Sequence, residues 1–226
     1  QWFTGANITL VPPSEWLGNE VKKSFLAEYP VRVINNGIDL DTFRPIQSDF
    51  RKKYQIENKF IILGVASSWA PRKGLDVFVK LAEDLPEEYQ IVIVGIDERE
   101  KNKLPETIIS ITRTNNQKEL AEIYSVADVF VNPTREENFP TTNIEALACG
   151  TGVITYRTGG SPEIIDQETG VVVEKDNYDE LKQAIFKVKK DGTFSKEKCR
   201  NRSMKYSRDE RYKEYVELFE SILEGR

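Results

Sequence analysis

Short runs of β-branched and aliphatic residues alternate along the chain with longer segments whose apolar positions recur every three or four residues. The short runs predict strands at 8–11, 31–34, 60–65, 90–94, 108–112, 128–132, 152–155 and 170–173. The periodic segments predict helices at about 14–27, 75–85, 117–126, 142–149, 162–166 and 177–189, with one or two more before the end. Runs such as FIILGVA (60–66) and QIVIVG (90–95) are apolar throughout instead of alternating, as expected of strands covered on both faces by crossover helices. The predicted fold is therefore α/β, a doubly wound parallel sheet of Rossmann-like type. Leu75, Phe78, Val79, Ala82 and Leu85 share one helical stripe and Leu120, Ile123, Tyr124 and Ala127 another; both are assigned to the core, with no chemistry. Asn36-Gly37 and Arg44-Pro45 break the pattern early, so residues 1–30 are read as the tail of a preceding domain, 31–205 as one complete domain and 206–226 as a terminal amphipathic helix.

Composition narrows the chemistry. With 226 residues, 39% of them hydrophobic, the chain can build a substantial core. A formal charge of −5 gives no reason to expect nucleic acid, since a phosphate-tracking surface carries a basic excess. The chain has no histidine, which removes Ser-His-Asp and Cys-His triads, histidine bases and the usual zinc sets. Cys149 and Cys199 have no metal-ligand spacing and are expected to be reduced thiols of a cytoplasmic protein. No run approaches the roughly 20 apolar residues of a membrane span. The chain opens at Gln1-Trp2-Phe3 without methionine and enters a predicted strand directly, which reads as a piece of something longer.

Three strand-to-helix turns could carry chemistry. Ser67-Ser68-Trp69-Ala70-Pro71-Arg72-Lys73-Gly74 sits at the carboxyl edge of the predicted sheet and delivers two adjacent cations beside a helix start; it is either a phosphate site or a solvated basic loop. Thr158-Gly159-Gly160-Ser161-Pro162 is either an anion-accepting nest or an ordinary turn with Ser161 as cap and Pro162 at the first helical position. In ENFPTTNIE (137–145), Thr142 and Glu145 have the form of a capping box, which would occupy Glu145 fully. Glu137 has no such structural duty. Two carboxylates separated by a short loop could instead hold two polyol groups of one extended ligand.

The same residues resemble a known family. Glu137 and Glu145 reproduce the E-x7-E pattern of the retaining glycosyltransferases of family GT4, which have the GT-B fold, and EALACG (145–150) and TGGSPEII (158–165) continue it. VINNGIDLDTFRP (33–45) resembles that family's interdomain segment, and PPSEWL (12–17) and YKEYVELFESIL (212–223) fall where the family has them. The resemblance implies the C-terminal, donor-binding half of a bacterial glycosyltransferase of polysaccharide biosynthesis, with 1–30 left from the N-terminal acceptor domain and its linker. It implies that Glu137 meets the donor sugar, that Glu145 binds the ribose, and that Lys73, with Arg72, stabilises the diphosphate. Asn138, Phe139, Pro140 and Thr141 and the amides of Gly159 and Gly160 would assist. The chain departs from the family at two places: Ser68 stands where an arginine is usual, with Arg72 its candidate replacement, and Asn138-Phe139-Pro140 replaces Gly-Phe-Gly. The implied donor is a UDP-, GDP- or ADP-sugar, with no cofactor and no obligatory metal, because the only Asp-x-Asp, Asp39-Leu40-Asp41, falls in the interdomain segment. The implied partners are a glycan or lipid-linked acceptor held by the N-terminal domain, a membrane face touched peripherally from the cytoplasm, and another copy through the terminal helix. These 226 residues alone would bind nucleotide without catalysing transfer. A non-catalytic nucleotide-binding module of the same fold and a sugar-nucleotide epimerase are the alternatives.

Overall fold

The computed structural model describes residues 5–192 and 194–225; the opening Gln1-Trp2-Phe3 lies outside them. Its sheet consists of β1 (Phe60–Val65), β2 (Tyr89–Val94), β3 (Ile109–Ile111), β4 (Val129–Asn132), β5 (Val153–Tyr156) and β6 (Gly170–Val173). All pairings are parallel, in the order β3-β2-β1-β4-β5-β6. Helices α1 (Glu15–Val21), α2 (Phe50–Lys53), α3 (Leu75–Asp84), α4 (Glu98–Lys101), α5 (Gln117–Val126), α6 (Thr141–Ala148), α7 (Ser161–Ile164), α8 (Tyr178–Asp191), α9 (Lys196–Ser203) and α10 (Arg208–Leu223) surround it. Two 3-10 turns, Pro71–Lys73 and Met204–Tyr206, complete the description.

The continuous apolar strands are buried on both faces. Within β1, Ile61 and Leu63 join a cluster with Tyr124, Phe130 and Leu147, while Phe60 and Ile62 join another with Phe78, Leu81 and Ile185. Successive side chains point to opposite faces, so only a strand with helices on both sides can be apolar at every position. The expected doubly wound parallel sheet is the one observed.

Two predicted strands fall outside the sheet. Segments 8–11 and 31–34 form one parallel bridge, Leu10 to Val31, held by bonds from Leu10 N to Pro30 O, Arg32 N to Leu10 O and Ile34 N to Pro12 O. Pro12, Pro13 and Pro30 lack amide donors, so the ribbon cannot extend. The first helix ends at Val21 and not near 27, because Ser24 takes the Val21 carbonyl with both its amide and its hydroxyl and turns follow. Capping also differs at α7: Gly160 is the cap, Ser161 is the first helical residue, and its buried hydroxyl has no partner. Both cysteines are free and buried, and burial pushes each thiol up to about 12, which makes them inert packing groups.

The terminal helix α10 starts against the 36–38 turn, where Ile38 N donates to Tyr206 O and Arg208 N to Ile38 O. Further along, Tyr212, Val216, Phe219 and Ile222 are exposed. Among the described residues no helix is long and apolar enough to cross a membrane.

Candidate functional site

The strand order sets the location of the site. From β1 the chain proceeds to β2 on one side, and from β4 it proceeds to β5 on the other, so the loops leaving these adjacent strands diverge and open a crevice at their carboxyl ends. A cleft of about 850 Å³ lies there, walled by Ser67 and Lys73 after β1, Gly95 after β2, Arg113 after β3, and Asn132, Glu137, Phe139, Pro140, Thr141, Thr142 and Glu145 at and beyond the end of β4.

Lys73 closes the 3-10 turn, and its Nζ donates to Glu137 Oε2 at 2.7 Å. The second oxygen of Glu137 accepts the amide of Asn138 at 3.0 Å. An ammonium has three donors, so Lys73 retains two for a ligand in the cleft. Close backbone approach fixes this pair. A Cβ on Gly74, at φ +75, would lie 2.5 Å from the Pro133 carbonyl oxygen, and one on Gly159, at φ +51, would lie 1.8 Å from that of Glu137. The 137–139 loop is held further by Gly160 N on Asn138 O at 2.7 Å, Ser14 Oγ on Asn138 Oδ1 at 3.1 Å and Asn36 Nδ2 on Phe139 O at 3.1 Å. Residues 14 and 36, far apart in sequence, thus buttress the loop that carries the first acid.

Helix α6 opens on the same cleft. Pro140 is its cap and no side chain caps it, so its first amides lack intrahelical acceptors just where Thr141 and Thr142 line the cavity. That is the positive end of the helix dipole, a ready anion site. The capping box that the Thr142 and Glu145 spacing allowed does not form, because Thr142 is already the second helical residue. Glu145 instead accepts a bond from Tyr124 OH at 3.1 Å, and burial holds its carboxyl above the usual range. Tyr124 is fully buried, and desolvation with the neighbouring Glu145 raises its phenol well above the ordinary value.

Lys73, Glu137, Glu145, Phe139, Pro140 and Thr141 therefore meet at one cleft, as their sequence pattern suggested. Other candidates do not reach it. Arg72 is exposed and donates to Glu136 O at 3.4 Å, outside the cleft wall, because the 3-10 turn sends adjacent side chains in different directions. Ser68 is likewise exposed outside the wall, and its neighbour Ser67 contributes there. Asn138 spends its amide on Glu137, its carbonyl on Gly160 and its side chain on Ser14. Gly159 and Gly160 lie behind the loop as its support, with the Gly160 amide already used. Asp39 accepts the amides of Asp41 and Thr42 and pairs with Arg208, so the Asp-x-Asp run serves a turn.

The sequence reading missed Asn132, Arg113 and the polar end of α5. Asn132 lines the cleft and donates through Nδ2 to Asn143 Oδ1 at 2.7 Å. An asparagine ending an otherwise apolar strand was the available signal. The α5 stripe assigned wholly to core sends Leu120 into the cleft wall and the Tyr124 hydroxyl to Glu145. A second hollow of about 650 Å³, lined by Arg51, Asp128 and Lys196, lies at the amino edge of the strands. Its Arg51 is spent on Asp128 and on the carbonyls of Lys59 and Val126.

The family described as glycosyl transferases group 1 matches residues 46–209, the greater part of the chain. The chain belongs to the group 1 glycosyl transferases. A D-inositol 3-phosphate glycosyltransferase of Xylanimonas cellulosilytica is 31% identical over 170 residues, 67% of this chain and 40% of that protein. Another, of Mycobacteroides abscessus, is 27% identical over 182 residues, 74% of this chain and 41% of that protein. The chain thus spans less than half the length of these relatives. Among solved structures, a glycosyltransferase from Rickettsia africae ESF-5 superposes with a TM-score of 0.83 at 22% identity, over 100% of this chain and 67% of that one. Anabaena Alr3699/HepE, solved in complex with UDP-glucose, superposes with a TM-score of 0.79 at 17% identity, over 93% of this chain and 63% of that one. These structural neighbours have the GT-B architecture, and the fold likeness agrees with the one expected from the sequence.

Proposed function

We propose that this chain is the donor-binding half of a retaining glycosyltransferase of the GT4 type, which binds a nucleoside diphosphate sugar and transfers the sugar to an acceptor held by an N-terminal domain. The carrying observation is the convergence of Lys73, Glu137 and the uncapped start of α6 on one cleft at the topological switch point. In this reading the diphosphate lies between the Lys73 ammonium and the first amides of α6, Glu145 accepts hydrogen bonds from the ribose, and Glu137 faces the sugar. As the bond from the anomeric carbon to the phosphate oxygen breaks, the electron pair leaves with the diphosphate, and the cation and helix dipole stabilise the charge that accumulates there. The acceptor oxygen bonds to the same face of that carbon, and its proton passes to the departing phosphate. The reading invokes no divalent ion; Lys73 and the helix end offset part of the diphosphate charge.

The donor we favour is a UDP-sugar, by analogy with the Anabaena protein of the same fold. Calorimetric titration of this chain with UDP, GDP, ADP and their glucose or mannose conjugates tests the reading. Micromolar to millimolar binding of one diphosphate series is expected; no binding across the panel overturns it. Transfer itself is expected only with the N-terminal domain present, to a glycan or lipid-linked acceptor at the cytoplasmic membrane face. Release of a free epimerised sugar nucleotide would instead identify an epimerase.

A pH dependence follows from Glu145. Ribose hydroxyls donate to the charged carboxylate, and burial favours the neutral form, so Glu145 takes up its proton above the ordinary glutamate value of about 4.3. Affinity for UDP-glucose, whose diphosphate keeps its charge over this range, should be full at neutral pH and weaken as pH falls through the raised pKa. In Glu145→Gln the affinity should be about tenfold lower at neutral pH and flat over the same interval, which titrations across that range will read.

A further inference from the structure

Arg135, in the loop after β4, lies just outside the cleft yet ties that loop to the connections that follow β1 and β6. Its Nη1 and Nη2 grip Asp76 at 2.8 and 2.7 Å, its Nε pairs with Asp176 at 2.6 Å, and Nη1 also donates to the Pro71 carbonyl at 3.0 Å. Its backbone amide donates to Arg72 O at 2.7 Å. Asp76 lies in the first turn of α3, directly after Lys73-Gly74, and Asp176 follows β6. Two of these bonds therefore end on the 3-10 turn that presents Lys73, and Arg135 is two residues from Glu137. With two carboxylates already on its guanidinium, Arg135 has its charge balanced locally and is poorly suited to be a phosphate ligand itself. A bidentate guanidinium fixes direction as well as distance, which a lysine here could not do.

We infer that Arg135 is a positioning residue for donor binding: by tying the Pro71–Lys73 turn to the Glu137 loop and to Asp176, it sets the place of the Lys73 ammonium against the outer phosphate of the nucleotide. This rests on the proposed donor-binding reading and extends it to a residue that meets no ligand. Nothing in the E-x7-E pattern points to it.

The test is a double-mutant cycle on this chain, with UDP and UMP as probes and affinity read by calorimetry. Arg135→Ala should weaken UDP about tenfold and UMP, which lacks the outer phosphate, less than about threefold. In a Lys73→Ala background the same substitution should change UDP affinity by less than about twofold, because the group it positions is gone. Asp176→Asn, which removes one arm of the clamp at a half-exposed residue, should give the same pattern with about a threefold loss, and it serves if Arg135→Ala does not fold. Equal losses for UDP and UMP, or full additivity with Lys73→Ala, would show a merely structural residue and overturn the inference. Unchanged UDP binding by Arg135→Ala would overturn it as well. Failure of the unsubstituted chain to bind UDP, GDP or ADP overturns the donor-binding reading, and with it this inference.

Discussion

Replacing Lys73 by alanine should lower the affinity of this chain for UDP by about one to two orders of magnitude and, with the N-terminal domain restored, lower turnover by about 10²–10³-fold. The lysine is the cleft-lining cation that stands on Glu137, and the charge it meets grows as the sugar–phosphate bond breaks, so its loss weighs more on the transition state than on the bound ground state. The fold should suffer little. The ion pair it leaves is largely buried, with side chains 24% and 15% exposed, but Glu137 keeps the Asn138 amide and faces the open cleft, where water can solvate it, so the loss should be about 1–2 kcal/mol. Thermal unfolding of the variant should therefore fall within a few degrees of the unsubstituted protein. Arg72→Ala provides the comparison: adjacent in sequence but outside the cleft wall, it should cost far less UDP affinity than Lys73→Ala. Near-normal turnover by Lys73→Ala would remove the lysine from the role, and a larger loss from Arg72→Ala would transfer it.

The second large effect is expected at Gly159, which touches no cleft. Alanine there meets two penalties. Its φ of +51 lies in the left-handed region, costing a residue with a Cβ about 1–2 kcal/mol, and the new methyl would lie 1.8 Å from the Glu137 carbonyl oxygen. The second cannot be relieved by a rotamer, since the obstacle is backbone, so the loop must move by about an ångström and take the Glu137 carboxylate with it. Misplacement of that size can cost about 10²-fold in rate. Gly159→Ala should thus melt several degrees lower and bind UDP-glucose much more weakly, with UMP affected least, because Glu137 is read as facing the sugar. Unchanged affinity for UDP-glucose would show that the position of Glu137 does not govern donor binding.

The sheet was legible because each β-strand carries its own signal. Continuous apolar runs of β-branched residues in β1 and β2 cannot be satisfied by any element with a wet face, so two-sided burial and a parallel sheet follow from local composition. The same local reading failed at 8–11 and 31–34, where the side chains look strand-like but neighbouring prolines deny the ladder its donors. The sequence left two uses open for Glu145, and the capping box is the one excluded: Thr-x-x-Glu makes such a box only if Thr142 precedes the helix, and the helix already starts at Thr141.

By itself, then, the sequence determined the fold class and supplied the rim turns with their cations, carboxylates and glycines, because those properties reside in short stretches of chain. Only the tertiary structure decided which of two neighbouring cations enters the cleft, that Tyr124 and not a helix end receives Glu145, and that the glycine pair supports the acid loop from behind. Those outcomes depend on distances between segments far apart along the chain, such as the 2.7 Å between Lys73 and Glu137, and no local pattern encodes a distance that packing of the whole sheet rim must set.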